Sequence, residues 1–391
     1  MQRRYDLDWV RVCAFGLLVL YHTGMYYVSW GFHIKSPHAG TALEPLMLLT
    51  GPWRMSLLFV VSGVATAFLL GRSERTAPAG IRSSFLGQRS WRLLLPLVFG
   101  ILVIVPPQSY FEVVEKLPGG YFDGYLAFWK RYLAADGRFC FDGNCLILPT
   151  WNHLWFVAYL WVYTVALWLL LRFAPKAMQA ARSRLERRLS GAGALLWPTL
   201  WLVAVRLALV SRFGSTHALV DDWYNHTQYV PMFLIGFLLA FSNGFWESLQ
   251  RQRWTALGAA FAAYAVLIGI RYFAGYDDGN PPPDSVLYLL RIVWGINQWC
   301  MIVAVFGFAY RLRGTGNAAL RYLTLAIFPV YILHQTVLIV LAHGFKPMDL
   351  PPLLEGPLLV VLTFAACFAG YELIRRVPLL RPLFGLKYRA D

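Results

Sequence analysis

The chain has 391 residues, of which 58% are hydrophobic and 14% charged, with a mean hydropathy of +0.51 and a formal net charge of +15. Soluble domains carry roughly 25% charged residues, so this composition excludes a chain surrounded by water and makes it a polytopic membrane protein. The arginines fall in short clusters between apolar runs and form no single patch, which excludes nucleic acid as the reason for the positive charge.

A helical span needs about 20 mostly apolar residues. Ten segments qualify, at about 8–30, 46–70, 92–108, 152–172, 193–212, 227–243, 255–273, 285–310, 322–343 and 356–375. The expected fold is therefore all-α, with about ten transmembrane helices in one bundle. A single domain is expected over 1–391, with an outward loop at about 109–150 and a tail at about 376–391. The first run is too long for a signal-peptide core and no small-residue cleavage site follows it, so it is expected to stay as a span. The third and sixth spans are short, and Pro96, Pro106, Pro107 and Pro231 are expected to break or kink them.

Ten spans place both termini on one side, and basic residues decide which. The even-numbered connections hold Arg72, Arg75, Arg82 and Arg89, then Arg172, Lys176, Arg182, Arg184, Arg187 and Arg188, then Arg251 and Arg253, then Arg311, Arg313 and Arg321. The tail adds Arg375, Arg376, Arg381, Lys387 and Arg389. In the long odd-numbered connection, Glu112, Glu115, Asp123, Asp136 and Asp142 balance the bases. Both termini are therefore expected in the cytoplasm. The CFDGNC loop then faces outward, where Cys140 and Cys145 suit a short disulfide. Cys13, Cys300 and Cys367 sit in apolar runs and read as small buried residues. The stretch AMQAARSRLERRL reads as a basic helix against anionic membrane lipid, and YDDGNPPPD as a stiff acidic turn.

The first span carries an unusual pair. Arg11 and His22 are eleven residues apart, which at 100° per residue is three turns with roughly 20° left over, so they share a helix face about 16 Å apart along its axis. Asp8 lies three residues before Arg11 and can pair with it. An arginine near a helix end often snorkels to the interface. A histidine at bilayer depth usually faces a bundle interior or an aqueous cavity.

Further segments accompany this pair in order: LLFVVSGVATAFLL (57–70), RSWRLLLP (89–96), HLWFVAYL (153–160) and VYILHQTVLI (330–339). Together with the Arg-x10-His spacing they resemble the acyltransferase family 3 membrane proteins. The opening YDLDWVRVCAFGLLVLYHTGMYY is most similar to that family's glucan biosynthesis protein C branch, which contains glucan succinyltransferases. The resemblance implies a membrane O-acyltransferase that moves a succinyl or acetyl group from cytosolic acyl-CoA to a hydroxyl of a periplasmic or envelope glycan. It implies a bacterial inner membrane, acyl-CoA as co-substrate with no permanently bound cofactor, a glycan acceptor and no metal.

Acyl transfer to an alcohol needs a base, donors for the developing oxyanion and a grip on the donor. His22 is the candidate base, or alternatively a transient carrier of the acyl group. Arg11 is a candidate for a CoA phosphate or the thioester region. Arg89 and Arg92 share a helix face and are candidates for phosphate binding, or serve only as topology determinants. His334, with Gln335 beside it, either shapes a polar cavity or accepts the hydrogen bond that fixes His22. Asn152 and His153, with Trp155 and Trp161 nearby, are candidates for the acceptor sugar, or form an ordinary aromatic belt. Ser62 in its Ser-Gly pair reads as a packing residue before a nucleophile. Arg54, Arg206, Arg271 and Arg291 escape the positive-inside rule and are candidates for attracting an anionic substrate. Two other classes fit the composition: a transporter or flippase with a polar path, and a membrane sensor without catalysis. The ordered motifs favour the enzyme, and no strong internal repeat supports the transporter.

Overall fold

A computed structural model describes residues 3–76, 82–141, 143–276 and 279–388. Asp142, Arg389 and the two aspartates of the YDDGNPPPD turn, Asp277 and Asp278, lie outside the described residues, as do the side chains of Arg72, Arg75 and Arg82. In chain order the helices are α1 Tyr5–Tyr27, α2 Glu44–Thr50, α3 Arg54–Thr76, α4 Arg82–Phe99, α5 Pro106–Lys116, α6 Gly124–Leu133, α7 Trp155–Phe173 and α8 Pro175–Arg188. They continue as α9 Gly193–Phe213, α10 Trp223–Leu238, α11 Asn243–Phe273, α12 Asp284–Ala309, α13 Ala318–Phe345, α14 Pro352–Arg376 and α15 Leu380–Leu383. One two-stranded hairpin, β1 Cys140–Phe141 and β2 Asn144–Cys145, interrupts them, and Cys140 and Cys145 are joined by a disulfide across it.

The protein is an all-α polytopic membrane protein. Among the described residues, 8 helical stretches are long and apolar enough to cross a membrane. The other two segments expected to span are also helices. The 23-residue α1 carries Asp6 and Asp8 in its first turn, then Arg11 and His22. The 16-residue α10 carries Asn225, His226 and Gln228. Their polar side chains lower the hydropathy of otherwise apolar helices.

The chain divides into two compact units with interleaved segments. The first comprises Met1–Ala14, Leu48–Gly87 and Val162–Arg321, and the second Phe15–Met47, Gln88–Trp161 and Tyr322–Asp391.

In the first unit, α3 and α10 meet backbone to backbone. A Cβ on Gly63 would lie 2.0 Å from Phe233 O, and one on Gly236 would lie 2.1 Å from Val60 O. Only glycine permits this approach, the usual way membrane helices gain close packing. Polar side chains tie the same region together: Gln298 Nε2 on α12 donates to Ser56 Oγ at 2.7 Å and Gln228 Oε1 at 2.9 Å. With no water in the hydrocarbon, buried amides must find each other.

In the second unit the third span differs from expectation. It runs through residues 85–116, not 92–108, as α4, a π-turn at Gly100–Ile104, and α5. Pro106 and Pro107 do not stop it, because they fall in the first turn of α5, where a missing N–H costs little. In the i→i+5 register of the π-turn those two N–H groups would serve Ile101 O and Leu102 O. Side chains of α6 supply the contacts instead: Trp129 Nε1 donates to Leu102 O at 2.9 Å and Tyr132 Oη lies 3.0 Å from Ile101 O. The loop expected at about 109–150 thus begins after Lys116, and Glu112 and Glu115 belong to the span. Past Lys116 the chain folds into a small cap around Tyr121, Phe128, Tyr132, Phe139 and Leu148, packed on Val113 of α5.

Candidate active site

The site is built on the second unit, where α13 brings three buried polar or aromatic groups to one level. Tyr331, His334 and Gln335 are 3%, 1% and 3% exposed. Spacings of three and four residues put Tyr331, His334 and Gln335 on one broad helix face. On α1, His22 is half-buried, and its Nδ1 lies 2.8 Å from His334 Nε2. Their rings lie side by side and nearly parallel, with centroids 5.0 Å apart and 19° between planes. The Phe32 ring lies nearly parallel to that of His22, with centroids 6.3 Å apart and 15° between planes.

Hydrogen-bond bookkeeping assigns the protons. His334 Nδ1 lies 2.6 Å from Tyr331 O, and a carbonyl only accepts, so Nδ1 carries the hydrogen. The neutral ring then has its lone pair on Nε2, and His22 Nδ1 must donate to it. His22 in turn keeps its own lone pair on Nε2. The pair is therefore oriented, with a backbone carbonyl at the buried end and the His22 Nε2 lone pair at the half-exposed end. His334 occupies the place that a carboxylate takes behind the histidine of many acyl-transfer sites.

A second layer holds α13 in register. His153 Nε2 donates to Ile332 O at 3.1 Å, which leaves Nδ1 to accept from Gln108 Nε2 at 3.3 Å. Gln108 Nε2 also donates to Thr336 Oγ1 at 2.7 Å, and Thr336 Oγ1 donates to Ile104 O at 2.6 Å. Gln108 Oε1 accepts from Asn152 Nδ2 and from Gln335 Nε2, both at 3.0 Å. Tyr331 Oη donates to His153 O. Gln108 is 0% exposed and every polar atom of its amide has a partner.

Above His22 the segment 28–43 is tied down by charge. His33 Nδ1 meets Glu112 Oε2 at 2.5 Å, and Lys116 Nζ bridges Glu112 Oε1 at 2.8 Å and Phe32 O at 2.7 Å. Lys35 Nζ donates to Met25 O at 2.7 Å and to Val28 O. Burial, reinforced by the nearby Lys116 charge, pushes the Lys35 ammonium down to about 8.

Of the residues singled out in the sequence, the structure brings His22, His334, Gln335 and His153 together. His153 is 6% exposed, with both ring nitrogens engaged. Trp155 is half-buried and packs edge-on to Tyr159 at 5.1 Å. Arg89 and Arg92 lie on α4 in the same unit, Arg89 half-buried and Arg92 exposed. Arg11 lies on the unbroken α1 with His22, in the portion belonging to the first unit, and is half-buried.

Arg54 and Arg291 also belong to the first unit. Arg54 is buried, with Nη1 3.5 Å from Thr50 Oγ1. The arginines at span depth rest on aromatic faces: Arg291 over Tyr288 at 5.4 Å, Arg271 over Tyr272 at 5.9 Å, and Arg206 over Trp294 at 4.1 Å while donating to Tyr224 Oη. Ring quadrupoles thus supply part of the counter-charge that acidic residues do not.

Gln108, Tyr331, Thr336 and Phe32 were not visible as site residues in the sequence. Gln108 did leave a trace, as a lone amide closing an apolar run after two prolines.

Comparisons with known proteins bear on the family of the chain. The acyltransferase domain model matches residues 4–372. Glucans biosynthesis protein C of Escherichia coli O6:K15:H31 is 24% identical, over 99% of this chain and 95% of that protein. The protein of the same name from Salmonella gallinarum is 23% identical, over 98% of this chain and 95% of its own length. No solved structure matches the chain significantly.

Proposed function

Since the chain belongs to the acyltransferase domain family, we propose that it transfers a succinyl or acetyl group from cytosolic acyl-CoA to a hydroxyl of an envelope glucan, with His22 Nε2 as the base. The glucan acceptor follows the name shared by its relatives, and the bacterial inner membrane with both termini in the cytoplasm is part of the same reading. The observation that carries the mechanism is the His22–His334 contact, because it leaves the basic lone pair on the half-exposed imidazole.

In this mechanism the acceptor hydroxyl gives its proton to His22 Nε2 as its oxygen attacks the thioester carbonyl. His22 becomes an imidazolium whose Nδ1–H still points at His334 Nε2, so the new charge is held without any ring turning. The tetrahedral intermediate collapses, the C–S bond breaks, and the departing thiolate takes the proton back from Nε2. Phe32 lies beside His22 with its ring nearly parallel. Arg11, Arg89 and Arg92 are assigned to the phosphates of the donor in this reading.

The test is mass spectrometry of envelope glucans from cells lacking the gene, complemented with the wild-type chain or with His22→Ala. A succinyl or acetyl mass increment present only with the wild type supports the reading. Glucans of identical mass in all three strains would overturn it, and solute movement without loss of acyl-CoA would favour a transporter instead.

A further inference from the structure

The first unit contains a cavity of about 530 Å3, lined by none of the residues described in the candidate active site. Its size falls within the range of small-ligand sites. Arg3, Arg4 and Arg313 line it, together with the aromatic rings of Tyr5, Phe68 and Phe241. Phe68 and Phe241 meet edge to face at 5.1 Å, which fixes that wall.

The three guanidiniums are not equivalent. Arg4 makes a two-pronged pair with Asp6 and lies over the Trp246 ring at 4.8 Å, so it is a structural post. Arg3 pairs through Nε with Asp8 at 2.8 Å and is 45% exposed. Arg313 gives one N–H to Tyr310 Oη and rests over that ring at 4.7 Å. A guanidinium has five N–H donors in a planar fork, so Arg3 and Arg313 keep donors to offer. Asp6 and Asp8 offset the charges of Arg4 and Arg3, and among the described residues Arg313 leaves one positive charge over on this wall. Asn243, the first residue of the 31-residue α11, also lines it, and Ser242 makes no side-chain cap there. The positive end of that long helix adds to the same field.

We propose that this cavity binds a phosphate-bearing ligand, with Arg3 and Arg313 holding the phosphate and the aromatic wall taking the attached ring or chain. Two sources share that chemistry: the nucleotide end of the acyl-CoA donor, which rests on the function proposed above, and the headgroup of an anionic lipid. Planar forks on both arginines suit phosphate oxygens taken two at a time.

The test uses the full chain in nanodiscs of neutral lipid, titrated with unacylated CoA by calorimetry, and separately in discs containing phosphatidylglycerol, with the melting temperature as readout. The variants are Arg3→Gln, Arg313→Gln and His22→Ala, each first shown to melt like the wild type in neutral discs. Should Arg313→Gln melt lower, Arg3→Gln at the exposed chain end carries the comparison alone. CoA affinity about tenfold weaker in the arginine variants, the size expected for one lost charged hydrogen bond, and unchanged in His22→Ala, supports a nucleotide occupant. Absent CoA binding, lipid-induced stabilisation that the arginine variants lose supports a lipid occupant, and the acyl-CoA reading then fails by itself. CoA and lipid effects equal in the wild type and both arginine variants overturn the proposal.

Discussion

His22 and His334, 312 residues apart in the chain, share a single hydrogen between Nδ1 and Nε2 at 2.8 Å. Because Tyr331 O accepts the one N–H of the neutral His334 ring, the shared hydrogen belongs to His22, and its lone pair lies on Nε2.

Removing either ring should therefore have different consequences. His22→Ala is expected to lower kcat by about 10²-fold or more, the usual worth of a general base. His334→Ala should lower kcat less, leave the donor KM unchanged and shift the pH–rate profile, since His22 would lose its oriented acceptor. His334→Gln, whose amide oxygen can still accept from His22 Nδ1, should recover part of the rate. Steady-state kinetics on reconstituted protein would check this, and equal losses in His334→Ala and His334→Gln would count against positioning.

Gln108 gathers Asn152, Gln335, His153 and Thr336 around one amide. Gln108→Leu strips partners from several buried groups, each worth about 1–3 kcal/mol when left unsatisfied. The expected result is a clear drop in melting temperature together with loss of activity. Thr336→Val, which breaks only the links to Gln108 and Ile104 O, should cost less in the same melt.

The α3–α10 crossing predicts a contrast between neighbours. Gly63→Ala would place a methyl 2.0 Å from Phe233 O, and overpacking of this kind costs about 1–3 kcal/mol or more. Poor yield of folded protein is expected. Ser62→Ala should fold and turn over normally if Ser62 only packs, and a dead, well-folded Ser62→Ala would revive it as a nucleophile.

Lys35 gives a pH signature. Its ammonium is pushed down to about 8 in the folded chain by burial and by Lys116, against an ordinary value of 10.5. Between about 8 and 10.5 the unfolded chain binds more protons at this site, so this contribution to stability rises with pH. The penalty is complete below about 8 and is relieved as pH climbs through that window. Melting curves of the wild type and Lys35→Met should differ in slope there, the variant lacking the increment, and parallel slopes would contradict the assignment.

Much of this protein was legible in its residues. The scarcity of charge decided the membrane class, hydropathy located the helices, and an eleven-residue interval on a 3.6-residue period put Arg11 and His22 on one stripe. These properties are sums along neighbouring residues, so a linear string carries them. The third span was cut short because proline reads locally as a stop. In the folded chain Pro106 and Pro107 sit in a helix's first turn, and Trp129 and Tyr132 satisfy carbonyls that the π-turn leaves open.

The division into two units was also invisible, because its boundaries fall inside α1, α2, α4, α7 and α13 and not in linkers of distinctive composition. The partner of His22, the amide network around Gln108 and the arginine cavity were decided only by tertiary structure. A polar side chain away from water takes whichever donor or acceptor the packing of distant helices delivers, and no spacing within one helix encodes that choice.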